Sequence, residues 1–185
     1  PGQDTFTGRI EITAHASEPM RSFRLHAKDL NLREATVTIG GETWPLETLP
    51  PGAPDAPDKA DKPGDPDKDN DVVEFRSPYE IPSGTAVITI SYAGRIDATE
   101  TQGIFRQKEG DDWYAFSQFE PIAARNAFPC FDEPDSKVPW QVTLEVPKGL
   151  VAISNTPVAS EQQTDRGTRI VAFQETPPLP SYLVA

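Results

Sequence analysis

The side chains that most often form nucleophiles or hold transition metals are scarce in this chain of 185 residues. It has two histidines, His15 and His26, and one cysteine, Cys130. A hydrolytic zinc site uses histidine or carboxylate ligands, often arranged as H-E-x-x-H on a helix, and neither that motif nor a G-x-S-x-G serine elbow occurs here. We therefore expect two half-exposed strand histidines, a small buried cysteine with no partner histidine, and no metal ligands in this chain.

An acidic segment offers a second candidate for chemistry. Residues 50–71 contain seven Asp, six Pro and three Lys, and none of their side chains larger than alanine is apolar. Aspartates alternate from position 65 to position 71 as in the first half of an EF-hand loop, but the sixth position is Asn70 and the twelfth is Arg76. We interpret residues 50–71 as a solvated loop insert with weak, non-specific affinity for divalent cations at most.

The third candidate is the segment at residues 114–140, YAFSQFEPIAARNAFPCFDEPDSKVPW. It combines aromatic, acidic, arginine and proline residues in an irregular stretch between two predicted strands. Such a stretch is costly to order unless it forms an interface or a binding site. Composition therefore predicts that this segment binds something, without indicating what.

The overall charge and hydropathy exclude several classes of protein. The formal net charge is −12, whereas a nucleic-acid-binding protein needs a basic face to neutralise phosphates. No apolar run approaches the ~20 residues of a membrane-spanning helix. We expect a soluble protein that binds no nucleic acid, either cytoplasmic or exported with its signal peptide removed.

The elements that position these segments are predicted to be strands. Apolar and polar residues alternate with a period of two in most of the chain, and turn residues recur at roughly 8–12 residue intervals. The predicted strands include residues 6–12, 23–27, 37–39, 72–75, 86–92, 113–116, 140–146, 151–154 and 169–173. Only residues 121–126 indicate a short helix. These patterns predict an all-β fold, a mostly antiparallel β-sandwich without internal repeats.

The organisation predicted is one domain over residues 1–185, interrupted by the loop insert at residues 50–71. Residues 181–185, SYLVA, have the pattern of a strand beginning, with no polar linker after them. We therefore expect the domain to be incomplete at its C-terminal end and the chain to come from a longer protein.

The dense segment also resembles a family signature. QFEP at residues 118–121, AR at 124–125 and AFPCFDEP at 127–134 resemble the signature of the aminopeptidase N family of zinc metallopeptidases. The likeness extends to LHAKDL at 25–30, GIFR at 103–106, ISN at 153–155 and TPPLPSYLVA at 176–185. It thus covers nearly the whole chain outside the insert.

The resemblance implies a fold and an activity for a longer protein. In this family an N-terminal, saddle-like β-sandwich precedes a thermolysin-like catalytic domain, which supplies the H-E-x-x-H zinc ligands, a further glutamate and a G-x-M-E-N motif. This chain would then be the N-terminal domain of a zinc aminopeptidase that removes residues from peptide N-termini. It would itself hold no catalytic residue and no zinc, its partners being peptide substrates and the missing catalytic domain.

The resemblance also implies roles for individual residues. Glu120 would bind the free α-amine of the substrate, and Gln118 would line the pocket for its first side chain. We expect Arg125 and Asp132 to pair, the prolines to fix the backbone, and Phe128, Cys130 and Phe131 to pack against the missing domain. The signature residues given a structural role are Arg125, Pro129, Cys130, Phe131, Asp132, Glu133 and Pro134. The alternative is a non-catalytic β-sandwich that serves as a binding or scaffold module.

Overall fold

The computed structural model describes residues 4–49 and 71–185. Those residues form twelve β-strands and two short 3-10 helices, and all the strand pairs are antiparallel. The predicted all-β, mostly antiparallel fold is confirmed. Of the loop predicted at residues 50–71, residues 50–70 lie outside the described residues.

A four-stranded sheet forms one layer of the sandwich. Its strands, in spatial order, are β1 (Thr5–Ala16), β7 (Gly84–Arg95), β3 (Asn31–Ile39) and β4 (Glu42–Pro45). The β3–β4 hairpin turns at Gly40 and Gly41, which both have positive φ, as the Gly-Gly pair predicts. From Ala35 on β3 and from Ala86 to Gly94 on β7 every second residue is buried, so one face of this sheet is apolar.

A three-stranded sheet covers that apolar face. Its order is β2 (Met20–His26), β6 (Val72–Ile81) and β5 (Glu47–Leu49). Phe75 lies at the centre of the layer between the two sheets, fully buried and stacked on Phe23 with ring centroids 5.5 Å apart. Burial of this apolar surface is the main free energy that holds the two sheets together. The core consists of Leu25, Ala35, Val37, Ile39, Leu46, Phe75, Ile81, Ala86, Ile88 and Ile90.

The C-terminal half adds a hairpin and a smaller sheet. Strands β8 (Gly103–Glu109) and β9 (Asp112–Gln118) form the hairpin, and β10 (Thr143–Pro147), β12 (Thr168–Phe173) and β11 (Val158–Gln163) form the sheet in that order. Between them the chain is irregular, apart from a 3-10 helix at Ala124–Asn126. This irregular stretch packs as a second apolar cluster, made of Phe119, Ala124, Ala127, Cys130 and Val184, with Phe128, Trp140 and Tyr182 against it.

Several local predictions are wrong. Residues 151–154 form no strand, and the expected strand at residues 181–185 begins instead with a second 3-10 helix, Ser181–Leu183. His26 is buried rather than half-exposed. Asp71, placed at the end of the solvated insert, is buried as well, because it pairs with two cations described below.

Candidate functional site

The β8–β9 hairpin leads the chain into the candidate site. Gly103 pairs with Gln118 where the two strands meet the body, and Gly110 makes the turn with a φ of 59°. Alternate residues of a strand share a face, so Tyr114, Phe116 and Gln118 form one row along β9. The Tyr114 and Phe116 rings are stacked with centroids 6.2 Å apart, and Phe116 is 45% exposed. The row of rings therefore continues directly to the amide of Gln118.

Gln118 and Glu120 stand on either side of a buried ring. Phe119 is 4% exposed, and its ring meets that of Phe128 edge-on with centroids 5.5 Å apart. The side chains of Gln118 and Glu120 are both exposed, and the backbone amide of Glu120 donates to Gln118 Oε1 over 3.5 Å. Anchoring the ring between them fixes the backbone from which both polar groups project.

The hairpin carries an open cavity on its outer side. The cavity measures about 660 Å³, and Arg106, Trp113, Tyr114 and Phe116 are among its lining residues. The guanidinium carbon of Arg106 lies 5.1 Å from the centroid of the Trp113 ring, which is a cation–π distance. Gln118 and Glu120 do not line this cavity, although Phe116, which does, lies on the same face of β9 as Gln118.

A buried ion pair holds the turn that follows Glu120. Arg125 lies on the 3-10 helix, and its Nε donates to Asp132 Oδ2 over 2.9 Å with both side chains buried. The predicted pairing of Arg125 with Asp132 is therefore confirmed. The Asp132 Oδ1 accepts a hydrogen bond from the hydroxyl of Ser181. Both carboxylate oxygens of Asp132 are thus satisfied, which is what a buried charge requires.

Asp71 extends this pair into a network of four charges. Its Oδ2 lies 3.6 Å from Arg125 Nη1 and 3.2 Å from Lys28 Nζ. The backbone contributes as well, since Ala27 N–H donates to Asp71 O over 2.7 Å and Lys28 N–H donates to Arg125 O over 2.8 Å. Two cations and two carboxylates balance each other, so the network carries no formal net charge at neutral pH.

The end of β2 is tied to the signature by His26 and Cys130. Their backbones exchange two hydrogen bonds, His26 N–H to Cys130 O over 2.9 Å and Cys130 N–H to His26 O over 3.1 Å. The amide of Asp132 also donates to His26 Nδ1 over 3.3 Å. An accepting Nδ1 carries no proton, so a neutral His26 is protonated on Nε2 in this arrangement.

Cys130 lies inside the domain as an unreactive thiol. It is 2% exposed within the second apolar cluster, and burial, helped by the nearby negative charge of Asp132, raises the pKa of its thiol. A thiol held protonated is a poor nucleophile. Cys130 and Phe128 pack within this chain, which corrects the expectation that both face a missing domain, whereas Phe131 is exposed.

The remaining signature residues divide between the interior and the surface. Pro129 is fully buried, while Glu133 and Pro134 are exposed. Glu133 Oε1 lies 3.9 Å from His26 Nδ1. Sequence reasoning missed His26, Lys28, Asp71 and Ser181 as partners of the signature. No spacing rule could have found them, since His26 and Asp132 are 106 positions apart.

The described residues, 4–49 and 71–185, hold neither a cluster of metal ligands nor a membrane-spanning helix. In that part of the chain no three His, Cys, Asp or Glu side chains come together as a group that could hold a metal ion. Its donor set therefore does not fit a zinc ion. No helix there has the length and apolar character needed to cross a bilayer.

Comparison with known proteins gives consistent matches. A family model described as the Peptidase M1 N-terminal domain matches residues 1–183. Aminopeptidase M1 of Arabidopsis thaliana is 32% identical over 185 residues, which cover 98% of this chain and 20% of that protein. Aminopeptidase M1-B of Oryza sativa subsp. japonica is 36% identical, with 97% and 19% covered. Leucyl aminopeptidase of Saccharolobus solfataricus is 33% identical over 102 residues, or 55% of this chain and 13% of that protein. The chain spans about a fifth of the length of the first two.

Proposed function

The chain belongs to the Peptidase M1 N-terminal domain family, and on that premise we propose that it is the substrate-recognition domain of a zinc aminopeptidase. The longer protein removes single residues from the N-termini of peptides. This domain contributes the contacts to the substrate's α-amine and first side chain, and a catalytic domain contributes the chemistry. The relatives that support this proposal are named as aminopeptidases.

One observation carries the proposal for this domain. Gln118 and Glu120 are both exposed, two positions apart, on a backbone that the buried Phe119 ring holds in place. A binding group acts well only when its position is fixed before the ligand arrives. The Arg125–Asp132 pair supports the turn that follows, so Gln118 at the end of β9 and Glu120 just beyond it rest on packed structure.

Glu120 is the group proposed to bind the α-ammonium of the peptide. Only a chain terminus carries that positive charge, so a carboxylate at this point distinguishes an N-terminus from the interior of a peptide. An exposed ion pair contributes little in water, because solvent screens it. Because Glu120 is exposed in this chain, the proposal requires a second domain to cover it when substrate binds, which would exclude water and strengthen the contact.

Gln118 is the group proposed to line the pocket for the first side chain. Its amide both donates and accepts hydrogen bonds, and it lies on the same face of β9 as the Tyr114 and Phe116 rings. An apolar wall ending in a single neutral polar group favours aliphatic and aromatic side chains without excluding polar ones.

The catalytic domain is the proposed partner of the exposed apolar surface around the site. Phe116, Ile122 and Phe131 are 45%, 48% and 38% exposed, although each belongs to or borders the signature. Exposed apolar groups close together indicate a surface that another protein surface covers. The zinc would be held by that second domain and, when bound, would supply an activated water for peptide hydrolysis.

The experiment that tests the proposal uses the longer protein. Glu120→Gln keeps the shape of the side chain but removes its charge, and a hydrogen bond to a charged group contributes roughly 1.5–3 kcal/mol. That corresponds to about a ten- to hundredfold fall in kcat/KM for aminoacyl substrates. Glu175→Gln is the matched control, because Glu175 is also exposed but lies beyond β12, outside the signature.

Three outcomes would count against the proposal. Glu120→Gln with the efficiency of the wild type would remove Glu120 from the site. An equal loss in Glu175→Gln would show that general surface charge, not a specific contact, changes the rate. A longer protein with no aminopeptidase activity at all would favour the alternative class, a non-catalytic β-sandwich module.

A further inference from the structure

Strand β1 forms an open edge of the four-stranded sheet. It pairs with β7 on one side only, from Thr5 opposite Arg95 to Ala16 opposite Gly84, without a register shift. Its twelve residues contain no proline and no bulge. Natural edge strands are usually kept short, bulged, charged or interrupted by proline, because an open edge pairs readily with another chain. Of these protections β1 has only charged side chains, those of Arg9 and Glu11.

The direction of the backbone groups on β1 follows from one hydrogen bond. Ile96 N–H donates to Asp4 O over 2.9 Å, in register with the pairing of Thr5 to Arg95. In an antiparallel pair, hydrogen-bonded residues alternate with non-hydrogen-bonded ones. The even-numbered residues of β1 therefore bond to β7, and the odd-numbered residues present their N–H and C=O groups to the open edge. No bond to that edge occurs from residues 4–49 or 71–185.

The sequence of β1 is complementary to itself. Arg9 and Glu11 flank Ile10, and both are exposed at 64% and 58% of their side chains, where they form an ion pair of 2.7 Å within the strand. If two copies of β1 pair antiparallel about a two-fold axis at Ile10, Arg9 of each copy lies opposite Glu11 of the other. The odd-numbered residues then face each other, as their outward backbone groups require.

Neighbouring registers are unfavourable. A two-fold axis at Arg9 would place the two Arg9 side chains opposite each other, and an axis at Glu11 would do the same for the two Glu11 side chains. Like charges directly opposite each other on paired strands are destabilising, whereas opposite charges stabilise the pair. A two-fold axis midway between two neighbouring residues would pair odd-numbered with even-numbered residues. The outward N–H and C=O groups of the two copies would then not face each other.

We propose that β1 is a dimerisation edge, which pairs antiparallel with β1 of a second copy about Ile10. The occupant of the edge is therefore this chain itself, and each copy has a single β1, so the assembly closes at two. The remaining pairs are compatible: Thr7 lies opposite Thr13, and Phe6 lies opposite Ala14. The partly buried apolar face of β1 then becomes continuous across both copies.

A cysteine scan tests the register in the 185-residue chain. Ile10→Cys places two thiols on the two-fold axis in a non-hydrogen-bonded pair, with Cα atoms about 4.5 Å apart, within reach of a disulfide. Ile12→Cys is the matched control, because the two copies of residue 12 would lie about 14 Å apart along the strands. Both isoleucines are partly buried against the same core, and wild type controls for the native Cys130.

A charge exchange tests the contacts. Arg9→Glu or Glu11→Arg alone creates two like-charged pairs per dimer, and we expect the dimer dissociation constant from sedimentation equilibrium to rise about tenfold. The double variant restores opposite charges in exchanged positions, and its dissociation constant should return to within about threefold of wild type. Thermal melts verify that each variant is folded.

The expected result is an oxidative dimer of Ile10→Cys alone, together with rescue by the double variant. A chain that stays monomeric at several hundred micromolar would overturn the proposal. Cross-linking of Ile12→Cys would also overturn it. So would a dimer dissociation constant that is the same in the single charge variants as in wild type, because the dimer would then form through another surface, such as the exposed aromatic one. Protection of the odd-numbered β1 amides from hydrogen exchange in a monomer would show that another part of this chain covers the edge, which would also overturn it.

Discussion

The Arg125 Nε atom donates to Asp132 Oδ2 over 2.9 Å, and less than a tenth of either side chain is exposed. Ser181 contacts Asp132, and Asp71 contacts Arg125. The pair therefore joins four parts of the chain: the 3-10 helix, the AFPCFDEP segment, the residue before β6 and the C-terminal turn. A buried pair of this kind adds little net stability compared with apolar residues, but the loss of one member leaves an uncompensated charge. The pair therefore fixes how these segments are placed, and its net contribution to the free energy of unfolding is small.

The first prediction concerns the stability of this pair. Arg125→Met keeps much of the side-chain volume but leaves Asp132 and Asp71 without their shared cation. We expect the free energy of unfolding to fall by about 3–5 kcal/mol, as when a buried ion pair is broken. Urea unfolding followed by fluorescence measures the change. Arg166→Met is the control, since Arg166 pairs with Glu145 on the surface at 3.3 Å.

The control should lose at most about 1 kcal/mol, which is typical of an exposed pair. Equal losses in Arg125→Met and Arg166→Met would show that Arg125 is not a structural centre of the domain. A second variant, Asp132→Asn, keeps the hydrogen-bonding shape and should also be destabilised, because Arg125 then lacks one of its carboxylates.

The second prediction concerns the reactivity of Cys130. Burial is the main cause that raises the pKa of this thiol, so the native protein contains very little thiolate at pH 8. We expect an aromatic disulfide reagent to modify native Cys130 at least about a hundred times more slowly than the urea-unfolded chain, because thiolate fraction and access both decrease. Rapid modification of the folded chain would contradict the burial of Cys130 and reopen a nucleophilic role.

The third prediction concerns the pH dependence at Asp97. Hydrogen bonds from the backbone amides of Glu100 and Thr99 and from the Thr99 hydroxyl lower the pKa of this carboxyl from 3.8 to about 2. Because the pKa is lower in the folded state, the stabilisation is complete above the unfolded pKa and is lost as pH falls from about 4 through about 2. The site is fully exposed, so the effect on stability is small.

Carbon-detected NMR measures this titration directly, with an expected midpoint near pH 2 for the Asp97 carboxyl. The Thr99 and Glu100 amide resonances should shift with the same midpoint. Asp97→Asn removes the titration, and the difference in Tm between variant and wild type should change only below about pH 4. A midpoint near 3.8 would mean that these hydrogen bonds are not formed in solution.

The strand pattern predicted most of the fold and failed where a partner strand is missing. Val151 and Ile153 alternate with small residues as in a strand, yet they are 80% and 79% exposed. Among the described residues their segment pairs with no strand. Asn155 instead bonds to the C-terminal backbone, with its Nδ2 donating to Leu183 O over 2.8 Å and its Oδ1 accepting from Ala185 N–H over 2.8 Å. A period of two shows that apolar and small or polar side chains alternate along the chain. A strand also needs a neighbouring strand to hydrogen-bond with its backbone groups.

The prediction of the candidate site was limited in a different way. The resemblance named Gln118, Glu120 and the Arg125–Asp132 pair from local motifs, because each lies within one short segment. Asp71 looked like the end of a solvated acidic run, and only its contact with Lys28 and Arg125 shows why it is buried. Long-range contacts of this kind depend on the tertiary fold, which no spacing rule along the chain encodes.

The last prediction concerns specificity in the longer protein. Gln118 lies on the face of β9 that also carries the Tyr114 and Phe116 rings, and we propose that it contacts the first side chain of the substrate. Gln118→Ala removes its amide without changing a charge. We expect kcat/KM for polar first residues to fall about five- to tenfold relative to aliphatic ones, the equivalent of one neutral hydrogen bond. A panel of aminoacyl substrates measures this ratio.

The control for this specificity is Gln107→Ala on the neighbouring strand β8, where Gln107 pairs with Tyr114. It removes an equivalent amide from the same hairpin but lies farther from the end of β9 that carries Gln118. Gln107→Ala should leave the substrate ratios unchanged, and thermal melts should show both variants folded, since neither side chain is in the core. A uniform loss for all substrates in Gln118→Ala would assign Gln118 to general binding, because only a group touching the first side chain discriminates between substrates.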